Sequence, residues 1–156
     1  MGTVTMMQQQ GSRVAPPARA AGKGQVVLVV EDRPRLSHTV GYICDFLSLP
    51  MGSVSTDGDL AAALTAWEPM AVICDLEGGA QDGCHVMKLV GAHDPARPIL
   101  LITGSDAALI GAAEAVEELW GLSGVVKLQD TPGLGDVVDF LFQTGRLGGP
   151  TALAPV

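Results

Sequence analysis

Residues 26–32 read VVLVVED, an apolar run that ends in the acids Glu31 and Asp32. A run of β-branched and leucine residues without alternation is typical of a strand buried on both faces, as in a parallel sheet covered by helices. Residues 71–75 read AVICD and again end in an acid, Asp75. The two segments therefore predict buried strands whose carboxyl ends carry carboxylates.

Strand and helix signals alternate along the rest of the chain. Pro34 suits the first turn of the helix that follows the first strand, and Asp57 and Ser105 are expected to cap later helices. The remaining strands are predicted, the first of them weakly, at 52–55, 98–102 and 124–126. The remaining helices are predicted at 58–67, 82–91, 106–120 and 134–141.

Five strands that alternate with five helices predict an α/β fold, a doubly wound parallel sheet with right-handed crossovers. Two doubly wound strand orders are the main contenders at this size. The flavodoxin-like (βα)5 order, 2-1-3-4-5, puts its switch point between strands one and three, where ligands bind beyond the carboxyl ends. Those are the strands that end in Glu31, Asp32 and Asp75.

Composition and charge narrow the function classes. The 156 residues suit one domain with a sizeable core, expected at 25–143 between flexible tails at 1–24 and 144–156. All 17 acidic residues but only 5 of the 9 basic ones lie between Glu31 and Asp139, which disfavours nucleic-acid binding and favours a divalent cation. Three cysteines without a CxxC pair disfavour a disulfide framework or zinc. We expect a cytoplasmic protein without a membrane segment.

The acids at the strand ends indicate a metal site. Glu31, Asp32 and Asp75 repel one another unless a cation lies between them, and Mg²⁺ favours one or two carboxylates together with phosphate oxygens. Thr103 ends the fourth strand and Lys127 closes the fifth, so a hydroxyl and an ammonium reach the same edge. Together these positions are more specific than any of them alone.

The pattern resembles the response-regulator receiver family, of which the chemotaxis regulator is the best-known single-domain member. The matching segments, in family order across residues 25–142, are VLVVED ending at Asp32, VICD ending at Asp75, Asp82-Gly83, PILLITG ending at Gly104, and VVK ending at Lys127. The resemblance implies that Asp75 accepts a phosphoryl group and that Thr103 and Lys127 sense it. It also implies that Glu31, Asp32, Asp75 and the main-chain carbonyl of Glu77 hold Mg²⁺.

The resemblance further implies a signalling switch rather than an enzyme. A sensor histidine kinase or phosphotransfer protein would supply the phosphoryl group, and the chain, with no output domain, would act on a protein target or in a phosphorelay. An Asp carboxylate, with an ordinary pKa near ~3.9, needs no general base for this attack. If the protein dimerises, the family-based expectation is the face formed by the fourth helix, fifth strand and fifth helix.

The chain departs from the family at several places. Gly78-Gly79 replaces the usual Met-Pro after the acceptor, and Glu77 adds a carboxylate that could pair with Lys127 in the absence of metal. Leu128 replaces the usual proline, so we expect a trans bond and a rearranged loop after it. Gly124 stands where the family has a switching aromatic residue. Trp120 could substitute for it, although core packing or partial exposure at a helix end is the favoured interpretation.

Two other functions compete with phosphorylation. A pseudo-receiver adaptor, which would bind partners without phosphorylation, is the alternative that these departures motivate. A nucleotide- or flavin-binding protein of similar topology is disfavoured, because Glu31-Asp32 stands where such a protein has a glycine-rich phosphate loop.

Overall fold

The structure, a computed structural model, describes residues 24–31, 34–55, 57–76 and 83–143. The tails predicted at 1–24 and 144–156 lie, apart from Gly24, outside the described residues. Strands and helices alternate throughout the rest. The strands are β1 (Val27–Val30), β2 (Met51–Val54), β3 (Ala71–Asp75), β4 (Ile99–Ile102) and β5 (Val125–Leu128). The helices are α1 (Leu36–Leu47), α2 (Asp57–Trp67), α3 (Gly83–His93), α4 (Ala107–Leu119) and α5 (Leu134–Gln143).

The strands form one parallel sheet in the order β2-β1-β3-β4-β5. This confirms the flavodoxin-like α/β order predicted from the sequence. Val30 pairs with Cys74, so Glu31 and Asp75, the residues that follow them, reach the same level of the sheet edge. The switch point between β1 and β3 is thus the point where the two acids emerge.

The sheet is buried on both faces, which explains the unbroken apolar runs in its central strands. One core cluster joins the sheet to α2, α3 and α4 through residues such as Leu64, Met87 and Val116. The other joins it to α1 and α5 through residues such as Val40 and Phe140. Successive residues of a strand point to opposite clusters, so the position of Lys127 in β5 determines which face its side chain leaves.

The helix starts differ from the predicted ones in several places. Asp57 was predicted to cap α2, but it is the first residue of that helix. Ser105 was predicted to cap α4, but Asp106 does so, with its Oδ1 accepting from the backbone N–H of Ala108 at 2.9 Å and of Leu109 at 3.3 Å. Both residues are good caps, and the helix begins one residue later than expected. Pro34 lies in the turn before α1 rather than in its first turn.

The packing at the start of β5 explains why residue 124 is a glycine. A Cβ at Gly124 would lie 3.0 Å from the carbonyl oxygens of Ala96 and Arg97 and 3.1 Å from Cα of Pro98. Backbone, unlike a flexible side chain, has little freedom to move away. The close approach of β5 to the loop before β4 therefore requires glycine there.

None of the helices in the described ranges combines the length and apolarity that a membrane span requires.

Candidate functional site

Asp75 is the last residue of β3, in the middle of the sheet. It is half-buried, and it pairs in register with Ile102 of β4. The next residue, Leu76, donates its N–H to the carbonyl of Ile102 at 2.8 Å and is buried. The backbone on both sides of the Asp75 carboxylate is thus fixed by sheet hydrogen bonds and core packing, which orients the side chain for chemistry at the edge.

Glu31 lies level with Asp75 but has a role that the sequence did not indicate. Its Oε1 accepts from the backbone N–H of Leu36 at 2.6 Å and of Arg35 at 3.2 Å, and its Oε2 accepts from Ser37 at 2.8 Å. These N–H groups belong to the first turn of α1, which has no partner for them within the helix. Glu31 is therefore the capping carboxylate of α1, and the charge suits the positive end of the helix dipole.

Thr103 follows β4 at the same edge, as predicted. Its side chain is 5% exposed, and its hydroxyl lies 3.0 Å from the carbonyl oxygen of Gly104 and 3.3 Å from that of Leu128. Its backbone N–H also donates to Leu128 at 2.7 Å. The hydroxyl thus donates to backbone in this state, and a rotation about one side-chain bond would redirect it.

Lys127 lies inside β5 and pairs with an acid that the prediction did not include. Its Nζ is 2.5 Å from Oε1 of Glu117 on α4. The proposed partner for the metal-free state, Glu77, lies outside the described residues. The Lys127–Leu128 peptide is trans, as predicted, and the strand continues through Leu128.

The residues predicted to hold Mg²⁺ are only partly described. Asp32, Glu77 and Gly78-Gly79 lie outside the described residues. Within the described ranges, no three His, Cys, Asp or Glu side chains converge as a metal-binding group. Asp75 fits the oxygen chemistry that Mg²⁺ prefers. The Glu31 carboxylate, which has about four acceptor positions, already uses several of them on α1 and so fits a direct-ligand role less well.

The thiol beside Asp75 is buried and unreactive. Burial, helped by the charge of Asp75 and by Cys84, raises the pKa of Cys74 to about 12. Cys74 therefore stays neutral, and a buried neutral thiol is a poor nucleophile or metal ligand. Cys74 is instead part of the apolar core that α2, α3 and α4 cover.

Two further features lie apart from the sheet edge. Trp120 follows α4 and is 43% exposed, which agrees with partial exposure at a helix end. An open groove of about 530 Å³ lies between α1 and the start of β2, and none of the described site residues lines it. The candidate chemistry therefore stays at the carboxyl ends of β1, β3, β4 and β5.

Comparison with known structures supports the fold, whereas comparison of the sequence identifies no family. No protein-family model matches the chain, and no curated protein matches it. Among solved structures, a response regulator signal receiver domain from Bermanella marisrubri is similar, with a TM-score of 0.61 at 18% identity over 77% of this chain and 97% of that one.

Other solved structures give the same result. The chemotaxis response regulator CheY4 of Vibrio cholerae aligns with a TM-score of 0.60 at 16% identity, over 80% of this chain and 99% of that one. The receiver domain of sensor histidine kinase PA1611 from Pseudomonas aeruginosa, which has a magnesium ion in its active-site cleft, aligns with a TM-score of 0.60 at 18% identity over 83% and 100%. Sheet order, site placement and these likenesses together show that the chain has the fold of a response-regulator receiver domain.

Proposed function

We propose that the chain is a phosphorylation-dependent signalling switch that accepts a phosphoryl group on Asp75. The observation that carries the proposal is the placement of Asp75, which ends the central strand level with Glu31 and beside β4. A carboxylate fixed at this edge, with Thr103 and Lys127 on the next two strands, matches the functional positions of the fold. The donor would be a sensor histidine kinase or a phosphotransfer protein, and the output would be a contact with a protein target.

For the transfer itself, the protein has mainly to position the reacting groups and to neutralise charge. A carboxylate oxygen of Asp75 attacks phosphorus, the new O–P bond forms, and the N–P bond to the donor imidazole breaks. The imidazole keeps the electron pair and takes a proton from solvent. Hydrolysis of the aspartyl phosphate then returns the carboxylate and inorganic phosphate.

Other residues of this chain would bind the metal and the phosphoryl oxygens. Asp32, Asp75 and the main-chain carbonyl of Glu77 would hold Mg²⁺, which supplies neutralisation of phosphoryl charge when it is bound. Glu31 adds negative charge at that position while it keeps α1 in place. Thr103 would donate its hydroxyl, and Lys127 its ammonium, to phosphoryl oxygens.

The test is intact-mass spectrometry after incubation with acetyl phosphate and Mg²⁺. The wild-type chain is expected to gain one phosphoryl mass, and Asp75→Asn to gain none. Asp139→Asn, which removes an exposed acid from α5, is the matched control and should behave as wild type. Equal labelling of Asp75→Asn and wild type would show that the acceptor lies elsewhere.

A pseudo-receiver adaptor is the second candidate, and one observation favours it: both Glu31 and Lys127 already have partners inside the domain. A Mg²⁺ titration followed by thermal unfolding separates the two candidates, since a ligand that binds the folded state raises the unfolding temperature. A phosphoryl acceptor should show a saturable rise that Asp75→Asn reduces. An adaptor without the chemistry should show none, and its mass should not change with acetyl phosphate or with a cognate kinase.

A further inference from the structure

Lys127 lies on the face of the sheet that carries α2, α3 and α4. Val125 packs into the cluster of α2, α3 and α4, whereas Val126 and Leu128 pack against the opposite one. Lys127 therefore shares the side of Val125, and its ammonium meets Glu117 of α4 at 2.5 Å. Both side chains are partly exposed, at 30% and 27%.

The position of Glu117 on α4 gives the direction of the Lys127 side chain. The helix starts at Ala107, after the carboxyl end of β4, and ends at Leu119, before β5 begins. Because it returns antiparallel to the strands, its last turn lies toward their amino ends. Glu117 is in that last turn, so the pair holds the ammonium toward the end of the sheet opposite to Asp75.

The register gives the distance that Lys127 would have to cover. Lys127 pairs with Leu101, and Asp75 pairs with Ile102, so β4 separates the two residues. Two strand spacings amount to about 10 Å, so the Lys127 ammonium reaches a group on Asp75 only when both side chains extend toward the edge. One ammonium cannot extend toward Asp75 and lie against Glu117 in the last turn of α4 at the same time.

We propose that Glu117 is a positioning residue that holds Lys127 off the acceptor site until a phosphoryl group on Asp75 displaces it. This inference rests on the proposed function and adds the regulation of the same site. A phosphoryl group carries more negative charge than a carboxylate, and ion pairs at partly exposed positions are weak. The phosphoryl group therefore takes the ammonium from Glu117, and the last turn of α4, next to Trp120, loses its tie to β5.

The test compares Glu117→Gln, which keeps the shape and removes the charge, with Glu114→Gln. Glu114 is an exposed acid on the same helix, so its replacement makes the same change in net charge. With acetyl phosphate and Mg²⁺, Glu117→Gln should be labelled on Asp75 up to about fivefold faster than wild type. Glu114→Gln should match wild type. In a Lys127→Gln background, Glu117→Gln should change nothing.

A second readout follows the Lys127 side chain directly, both with and without phosphorylation. The side-chain Hε and Cε resonances of Lys127 should shift in Glu117→Gln and stay in place in Glu114→Gln. The same resonances should shift when wild type is phosphorylated.

The outcomes separate the two proposals. If wild type is labelled but Glu117→Gln and Glu114→Gln behave alike in rate and spectrum, Glu117 does not position Lys127, and the proposed function stands. If neither wild type nor Glu117→Gln is labelled by acetyl phosphate or by a cognate kinase, the proposed function fails and this inference fails with it.

Discussion

The Oε1 atom of Glu31 lies 2.6 Å from the backbone nitrogen of Leu36, and this contact ties the end of β1 to the first turn of α1. The residue at the N-cap of α1, Arg35, makes no side-chain capping bond. The carboxylate four residues earlier does that work instead. An acid at the sheet edge therefore stabilises the helix that leaves it.

Replacing Glu31 should destabilise the fold. Glu31→Ala leaves N–H groups of α1 without an acceptor, at a cost of about 1–2 kcal/mol. Glu31→Gln keeps one carbonyl oxygen but loses the charge at the helix start, so its cost should be smaller, about 0.3–1 kcal/mol. Urea unfolding monitored by circular dichroism measures both.

Glu118→Ala is the control for that series, because Glu118 is an exposed acid on α4. It should leave the urea midpoint nearly unchanged. A Glu31→Ala midpoint equal to that of Glu118→Ala would mean that the capping contact contributes nothing to stability.

The glycines Gly124 and Gly111 should respond oppositely to alanine. A Cβ at Gly124 meets backbone atoms at 3.0–3.1 Å, whereas one at Gly111, inside α4, meets nothing within 4 Å. Gly124→Ala should lower the melting temperature by forcing β5 away from the loop before β4. Gly111→Ala should raise stability by up to about 1 kcal/mol, because alanine favours the helix. Two destabilised variants would contradict the packing at one of these positions.

The buried thiols predict a loss of stability at high pH. Burial is the main cause that raises the pKa of Cys44 and of Cys74 to about 12 from an ordinary value of 9.0. A group whose pKa is higher in the folded chain contributes its full stability below the unfolded pKa. That contribution should shrink as the pH rises from about 9 toward 12. Urea midpoints at pH 8 and pH 10.5 measure the decrease.

The double variant Cys44→Ala, Cys74→Ala is the control for the pH effect. The decrease of its urea midpoint between the two pH values should be smaller than that of wild type, because the two buried thiols are then absent and only other groups titrate. Alkylation at pH 8 gives an independent check: Cys84, which is half-buried, should react before the two buried thiols. Rapid labelling of Cys74 in the folded chain would contradict its burial.

Arg97 should be a determinant of stability although it lies far from the candidate site. The residue is 7% exposed, and its guanidinium donates from Nε to the carbonyl of Pro69 at 3.0 Å and lies 2.9 Å from Nδ1 of His93. Arg97→Met should cost about 1.5–3 kcal/mol, since it leaves a buried carbonyl without its charged donor. Arg35→Met, at an exposed position, should cost much less. Urea unfolding of the two variants measures the two losses of stability, and equal losses would contradict this role of Arg97.

The strands could be predicted because their signals are local, and the acids that follow β1 and β3 favoured one of the two strand orders considered. Each buried strand shows as an apolar run, and the acids that follow β1 and β3 mark the edge where the chain leaves the sheet. The structure adds the register, which brings Glu31 and Asp75 level. The fold and the sheet positions of Thr103 and Lys127 were thus accessible from the sequence.

The contacts at the site were not accessible, because they depend on how each helix is rotated and where it starts. Ser105 and Asp106 are both good caps, and sequence alone does not choose between them. The Glu31 cap requires α1 to begin close behind β1. The pair of Glu117 and Lys127 requires the last turn of α4 to face β5. Glu117 follows buried Ala113 by four residues, which was the available hint that it lies near the sheet.

Lys127 also affects how the domain behaves among other chains. It lies in β5, a strand of four residues that, among the residues the structure describes, has a neighbouring strand on one side only. Such a strand offers unpaired backbone groups to another chain, and a charged side chain on it opposes strand addition. An apolar residue at this position would promote aggregation in addition to changing the chemistry. Glutamine keeps the strand polar, so Lys127→Gln isolates the loss of the ammonium.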